Sequence, residues 1–465
     1  MVVDIKRDMT EGNITSALLR FIIPLTAGNI FQQMYNIVDT FIVGHYLGSN
    51  ALASVGAVSN IIFMFNAVMF GLKAGISVVA SEDFGRRDYK AYKDTIKVSK
   101  LLVTLGILVT FASGLVGSSN LLRFVRVPEE IWADSLLYFR IIVLGYPFLF
   151  LFNYGNALMQ SIGNTNIVFL SLSTSTVINI IFDIVFIKVF GMGVEGAALA
   201  TVISQIFLAV IIHIALRKDI VMLEIKSKKD VAVELFSKNK IKEILTVSFP
   251  SILQQGILAF GIILITALIN QCGKEMIAGV AVSGKIESIV SMPIVTIGEA
   301  MAVYSAQNVG AGKSERINQG LKSAMMICLV MGLSISGLLI FKGKFLISLF
   351  LDQYNPLIIE KGYKNMISIL AMIFIMIPFR CFIGVCTGLK NMSAVVISFG
   401  LNIISRVTCA YILYPIVKEY AIYIANPFSV LIGAITVITI YIKENEKEKR
   451  PFEAGIEEIY DIKGC

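Results

Sequence analysis

Along this chain, runs of apolar residues alternate with short polar breaks in one repeating rhythm. Runs of about twenty apolar residues are long enough to cross a bilayer as helices. Twelve such spans can be read, with centres near residues 30, 65, 106, 147, 176, 205, 257, 290, 330, 372, 401 and 432. The predicted fold is an all-α integral membrane protein. The breaks differ in charge. "EDFGRRDYKAYKDTIKVSK" (82–100) holds six Lys or Arg, 217–243 holds eight, and "AGKSERINQGLK" (311–322) holds three. Loops on the other side, such as "HYLGSN" and "QCGKEM", hold one Lys between them. The positive-inside rule then places both termini and 217–243 in the cytoplasm. Arg123 and Arg126 after the third span run against the trend, with acidic residues following them.

The spans fall into two halves that resemble each other. "FIIPL" (21–25) matches "VSFPS" (247–251) and pairs Pro24 with Pro250 at an offset of 226. "DFGRRD" (83–88) parallels "VGAGKSE" (309–315), and "SIGNTN" (161–166) parallels "TGLKNM" (387–392), at offsets of 225–227. Six spans return the chain to the side where it began, so this duplication predicts two six-helix lobes in the same orientation around a central cavity, an arrangement suited to alternating access. The expected division is an amino-terminal lobe at 1–216, a cytoplasmic linker at 217–240, a carboxyl-terminal lobe at 241–443 and a charged, partly disordered tail at 444–465.

Composition supports this class. Of 465 residues, 56% are hydrophobic and 15% charged, against about 25% charged in soluble proteins. The net charge of +8 resides in loops between spans, so no nucleic-acid partner is expected. Five of the six cysteines lie in or beside apolar segments without metal-ligand spacing and read as small hydrophobes. Residues 1–13 are polar and the first apolar run ends in no cleavage site, so the first helix is expected to stay. His45 and His213 stand 168 positions apart with no catalytic constellation around them, so an enzyme is not expected.

Against this apolar background, Asp39 stands out. An Asp at a helix centre costs roughly 2.5–3.5 kcal/mol on the insertion scale. It shares a helical face with Tyr35, Gln32 and Gly28. In the fifth span, Asn179 and Asp183 are i, i+4 neighbours; in the sixth, Thr201 and Gln205 repeat that spacing. Two carboxylates, an amide and a hydroxyl are hard oxygen ligands, fit for a proton or a small hard cation rather than zinc or copper. Two such carboxylates, brought together, titrate as a pair. Thr201 and Gln205 read equally as interhelical hydrogen-bonding residues. The carboxyl-terminal half differs. It offers Lys285, Glu287, Glu299 and Arg406, the last near the repeat position of Asp183 at an offset of 223. Glu287 either faces the cavity or pairs with Lys285 or Arg406. The loops "FGRRD" and "VGAGKS" lack P-loop spacing and follow no strand, so they read as tight connections rather than phosphate cradles.

The stretches "PLTAGNIFQQMYNIVDTFIVGHYLGSNALASVG", "SEDFGRRD", "NIIFDIVFI" with "GAALATVISQ", and "AQNVGAGKSER" together resemble the multidrug and toxic compound extrusion (MATE) family. The likeness covers roughly residues 10–443 and is greatest to the prokaryotic branch named for a DNA-damage-inducible protein. It implies a multi-pass exporter of the cytoplasmic membrane. Its substrates would be small amphipathic, cationic drugs or metabolites, exchanged for inward Na⁺ or H⁺ without a cofactor, by a monomer. It also implies a cation site at Asp39, Asn179, Asp183 and Thr201, which would be the Na⁺ ligands if Na⁺ is the ion. Tyr138 matches a tyrosine of the same network; otherwise it is an interfacial aromatic. Pro24 is either a static kink or a hinge. Other MATE branches carry an acidic residue in the seventh span, where this chain has Gln254 and Gln255. Gln32, Tyr35, Asn153, Asn156 and Glu287 are the candidate substrate-cavity residues. The rival reading is a flippase of lipid-linked saccharides from the same superfamily.

Overall fold

The structure is a computed structural model that describes residues 8–226, 237–351 and 355–461. Among them the chain forms thirteen α-helices. The first lobe holds α1 (Ile14–Ile42), α2 (Ser49–Gly85), α3 (Tyr89–Phe124), α4 (Trp132–Ser161), α5 (Thr165–Asp183) and α6 (Val194–Lys226). The second holds α7 (Lys238–Ile269), α8 (Lys274–Val290), α9 (Met292–Gly310), α10 (Ser314–Ser348), α11 (Pro356–Gly388), α12 (Met392–Val417) and α13 (Tyr420–Asp461). Eleven are long and apolar enough to span a membrane. The pair α8 and α9, bent by 41° at one residue, forms the twelfth span as a broken helix. Pro293 sits at the first turn of α9, where its missing N–H leaves no helical bond unmade. Large apolar side chains such as Val116, Phe341 and Ile416 stand exposed on the outer faces, as lipid-facing residues do.

The helix ends show the duplication directly. Left-handed turn residues recur in matched pairs, at an offset of 225 for Gly48 with Gly273 and Arg87 with Gly312, and of 227 for Gly163 with Lys390 and Gly191 with Lys418. The prolines Pro24 and Pro250 lie inside α1 and α7. This register corrects one expectation. Turns on either side of α5 and α12 set an offset of 227 there, so Arg406 corresponds to Asn179 rather than Asp183. The difference is one helical turn, so the helix face is the same.

The lobes touch across a local two-fold relation. A Cβ on Gly85 would lie 2.0 Å from the Gln307 carbonyl oxygen, and a Cβ on Gly310 would lie 2.0 Å from that of Glu82. Only glycine lets α2 and α9 approach this closely, backbone against backbone. Gly310→Val is therefore expected to force the helices apart, lowering the unfolding midpoint by the equivalent of about 1–3 kcal/mol. An unchanged midpoint in detergent would contradict that packing.

Of the linker expected at 217–240, residues 217–226 continue α6 and Lys238 begins α7, while 227–236, like Cys465, lie outside the described residues. α13 runs as helix to Asp461, through a segment rich in Glu and Lys, which are good helix formers.

Candidate functional site

Three helices of the first lobe bring the predicted acidic residues together. Asp39 lies near the end of α1, where the helix passes into a π-helical turn, Val43–Leu47. Asp183 closes α5 and opens a second π-helical turn, Ile184–Val189. Such bulges inside helices often mark functional sites. Asp39, Asn179, Asp183 and Thr201 are all buried. The two carboxylates interact electrostatically. Yet Oδ1 of Asp39, both carboxylate oxygens of Asp183 and both amide atoms of Asn179 are buried without a hydrogen-bond partner. Buried polar groups are almost always partnered, so this cluster of orphans needs an explanation. A small hard cation or a proton supplies one, because the unmet atoms are mainly oxygens.

Tyr35, one turn before Asp39, joins the same cluster. Its hydroxyl lies 3.1 Å from Thr201 Oγ1. That places Tyr35 beside the carboxylates, whereas the sequence pattern assigned it to the substrate cavity. Tyr138 is buried on α4 and interacts electrostatically with Asp39, Tyr35 and Asp183, so it is not an interfacial aromatic. Gln205 also faces inward: its Oε1 is buried without a partner beside Gly145. Pro24 lies inside an α1 that runs unbroken from Ile14 to Ile42.

The remaining cavity candidates separate. Asn153 turns into its own lobe, its amide donating to Leu149 O (2.9 Å) and to Met69 Sδ (3.1 Å), so it packs rather than faces the cavity. Asn156 accepts from Gln160 Nε2 at 2.8 Å, and Gln160 in turn reaches Glu299 Oε2 at 3.5 Å. Gln32 is half-buried. Its neighbour Gln33, one residue on, donates to Ser288 across the lobe interface (3.0 Å), and Asn29 donates to Thr296 (3.3 Å). Glu287 is half-buried and feels Arg406 electrostatically. The pairing of Glu287 with Lys285 does not form: Lys285 is exposed and lies over the Phe350 ring, 6.0 Å from its centroid.

Sequence reasoning missed three interlobe ion pairs. Lys73 on α2 donates to Glu299 on α9 at 2.8 Å, across 226 positions, the offset of the repeat itself. A charge of the first lobe thus meets the opposite charge of the second across the interface. Deeper toward the basic loops, Lys240 at the start of α7 donates to both oxygens of the buried Asp83 at 2.8 and 3.0 Å. Thr95 adds a bond of 2.6 Å to the same carboxylate. Lys390 meets Glu82 at 2.5 Å. Met9 N donates to Gln307 (3.1 Å) and Lys313 to Thr10 O (3.0 Å). These interlobe contacts gather at the end that carries the basic loops, so the lobes are sealed there.

Comparison with known proteins bears on this architecture. The MatE family model matches twice, over residues 24–185 and 250–412, once per lobe. The probable multidrug resistance protein YpnP of Bacillus subtilis is 26% identical over 78% of this chain and 80% of its own length. The multidrug export protein MepA of Staphylococcus aureus is 24% identical over 68% of this chain and 69% of its own length. A solved structure described as the outward-facing conformation of a multidrug resistance MATE family transporter superposes with a TM-score of 0.85 at 20% identity, covering 97% of this chain and all of that one. A twelve-span fold of two repeated lobes, matched along both by one family model, makes this chain a member of the MATE family of multi-pass membrane transporters.

Proposed function

We propose that the chain is a cation-coupled antiporter that exports small amphipathic molecules, cationic ones among them, across the cytoplasmic membrane. The observation that carries this is the cluster of orphaned, buried oxygens at Asp39, Asn179 and Asp183. A buried carboxylate pair cannot comfortably hold two charges, so it takes up Na⁺ or H⁺ readily. By the positive-inside rule, the basic loops support a sealed end and both termini facing the cytoplasm. The described state is then the one open outward, in which the coupling ion enters from outside. Its arrival cancels the charge at Asp39, shifts α1 through the region of Pro24, and weakens substrate binding. Antiport requires ion and substrate to oppose each other's binding. The relatives named for multidrug resistance and export support the substrate class.

Tyr35→Phe tests the support of the site. It removes the bond to Thr201 but little volume, and is expected to slow gradient-driven dye efflux from proteoliposomes by about threefold to tenfold, the value of one ordinary hydrogen bond. Efflux at the wild-type rate would remove Tyr35 from the site. The flippase reading retains one supporting observation: the second lobe presents Arg380 and Arg406 without ion-pair partners within 4.0 Å among the described residues.

A further inference from the structure

The second lobe contains the counterpart of the acidic pocket with its sign reversed. On α12, the face equivalent to that of Asn179 and Asp183 carries Asn402 and Arg406, again four residues apart. Ile265 stands where the first lobe has Asp39, at the offset of 226 set by the two prolines. Beside them, Arg380 of α11 lies over the Phe399 ring, 5.5 Å from its centroid. Phe399 precedes Asn402 by one turn on α12. Three polar atoms here are buried without a partner: Nε of Arg380, Nε of Arg406 and Nδ2 of Asn402. In the first lobe the orphans are mainly acceptors; here they are donors. Arg406 feels Glu287, and Arg380 feels Glu299. Glu299 is held by Lys73, and Glu287 makes no ion pair within 4.0 Å among the described residues.

We propose that Arg406, Asn402 and Arg380 form an oxyanion-binding subsite, so that transported substrates carry a carboxylate or phosphate group as well as an apolar body. Guanidinium groups bind such planar or tetrahedral oxyanions through paired hydrogen bonds, and an aromatic ring beneath one of them holds it in place. This rests on the reading of the interlobe cavity as the substrate path. The anionic group could belong to a soluble amphipath or to a lipid phosphate.

The experiment is equilibrium binding to the full chain in nanodiscs, with no ion gradient, using a matched dye pair: rhodamine 19, a free carboxylate, and rhodamine 6G, its ethyl ester. Wild type is expected to bind the acid about tenfold to a hundredfold more tightly than the ester, the span of one hydrogen bond to a charged group. Arg406→Gln and Arg380→Gln each lower that ratio toward one by weakening the acid alone; Arg406→Lys keeps part of it. Competition by farnesyl diphosphate, lost in Arg406→Gln, supports the subsite and assigns the group to a lipid phosphate. An acid preference without such competition supports it for soluble carboxylates. An ester bound as tightly as the acid by wild type overturns the proposal, whether or not the variants fold. So does a ratio unchanged in both Gln variants. Since no gradient is applied, failure of antiport would leave this preference readable, and loss of the preference would leave coupled efflux readable.

Discussion

Asp39→Asn is expected to abolish efflux driven by an imposed Na⁺ or pH gradient while leaving a folded protein in the membrane. The substitution keeps the size of the side chain and removes the charge. Asp39 is buried, its Oδ1 has no hydrogen-bond partner, and it interacts with another carboxylate, Asp183. Removing its charge therefore breaks no ion pair and relieves a repulsion, so stability is expected to hold or rise. Transport behaves oppositely. A site that no longer changes charge cannot report ion occupancy to α1, and coupled efflux should fall to the background of empty liposomes. Proteoliposomes loaded with dye and given an inward gradient test this, with size-exclusion profile and unfolding midpoint as the folding controls. Wild-type efflux in the variant would end the coupling role of Asp39.

Asp83→Ala is expected to be the most destabilising of the conservative losses at the sealed end. The Asp83 side chain is 2% exposed and binds Lys240 with both oxygens. An intact buried ion pair is weak support for stability, but breaking one by removing a partner costs about 3–5 kcal/mol. Glu243, 3.1 Å from Lys240, offers a partial substitute from a more exposed position. The loss is also directional, since Asp83 belongs to the first lobe and Lys240 to the second. In the proposed alternating-access cycle the seal opens when the transporter turns inward, so its loss shifts the population toward that state. Hydrogen exchange should quicken at 82–88 and 307–313, with a lower unfolding midpoint. The charge swap of Asp83→Lys with Lys240→Asp should recover part of both. Unchanged exchange and midpoint in Asp83→Ala would show that the pair closes nothing.

What the sequence disclosed follows from what is local. Spans are runs along the chain, and Asn179 with Asp183 is a spacing on one helix, so both could be read without coordinates. The repeat could be read because its turns recur at offsets of 225–227. Contacts between lobes could not. Lys73 and Glu299, or Asp83 and Lys240, are separated by 226 and 157 positions, and nothing in either neighbourhood names the partner. Tyr35 and Gln33 show a finer limit. Both lie on α1, but the helical pattern gives their spacing and not what each direction faces: Tyr35 meets Thr201 and Gln33 meets the second lobe. Asn153 looked like a cavity amide because it is polar in an apolar span; its bond to Leu149 O in its own helix shows how such a residue can satisfy itself.

The most direct test of coupling is dye affinity measured at equilibrium while pH and Na⁺ are varied separately, in wild type and in Asp39→Asn. Linkage requires that an ion bound at the carboxylate pair weaken dye binding, and that dye weaken ion binding by the same factor. In wild type the dye Kd should rise as one of the two ions is raised, naming it as the coupling ion, and in Asp39→Asn that dependence should vanish. A wild-type Kd indifferent to both ions, or an ion dependence preserved in Asp39→Asn, would contradict the assignment of Asp39 and Asp183 as the coupling site.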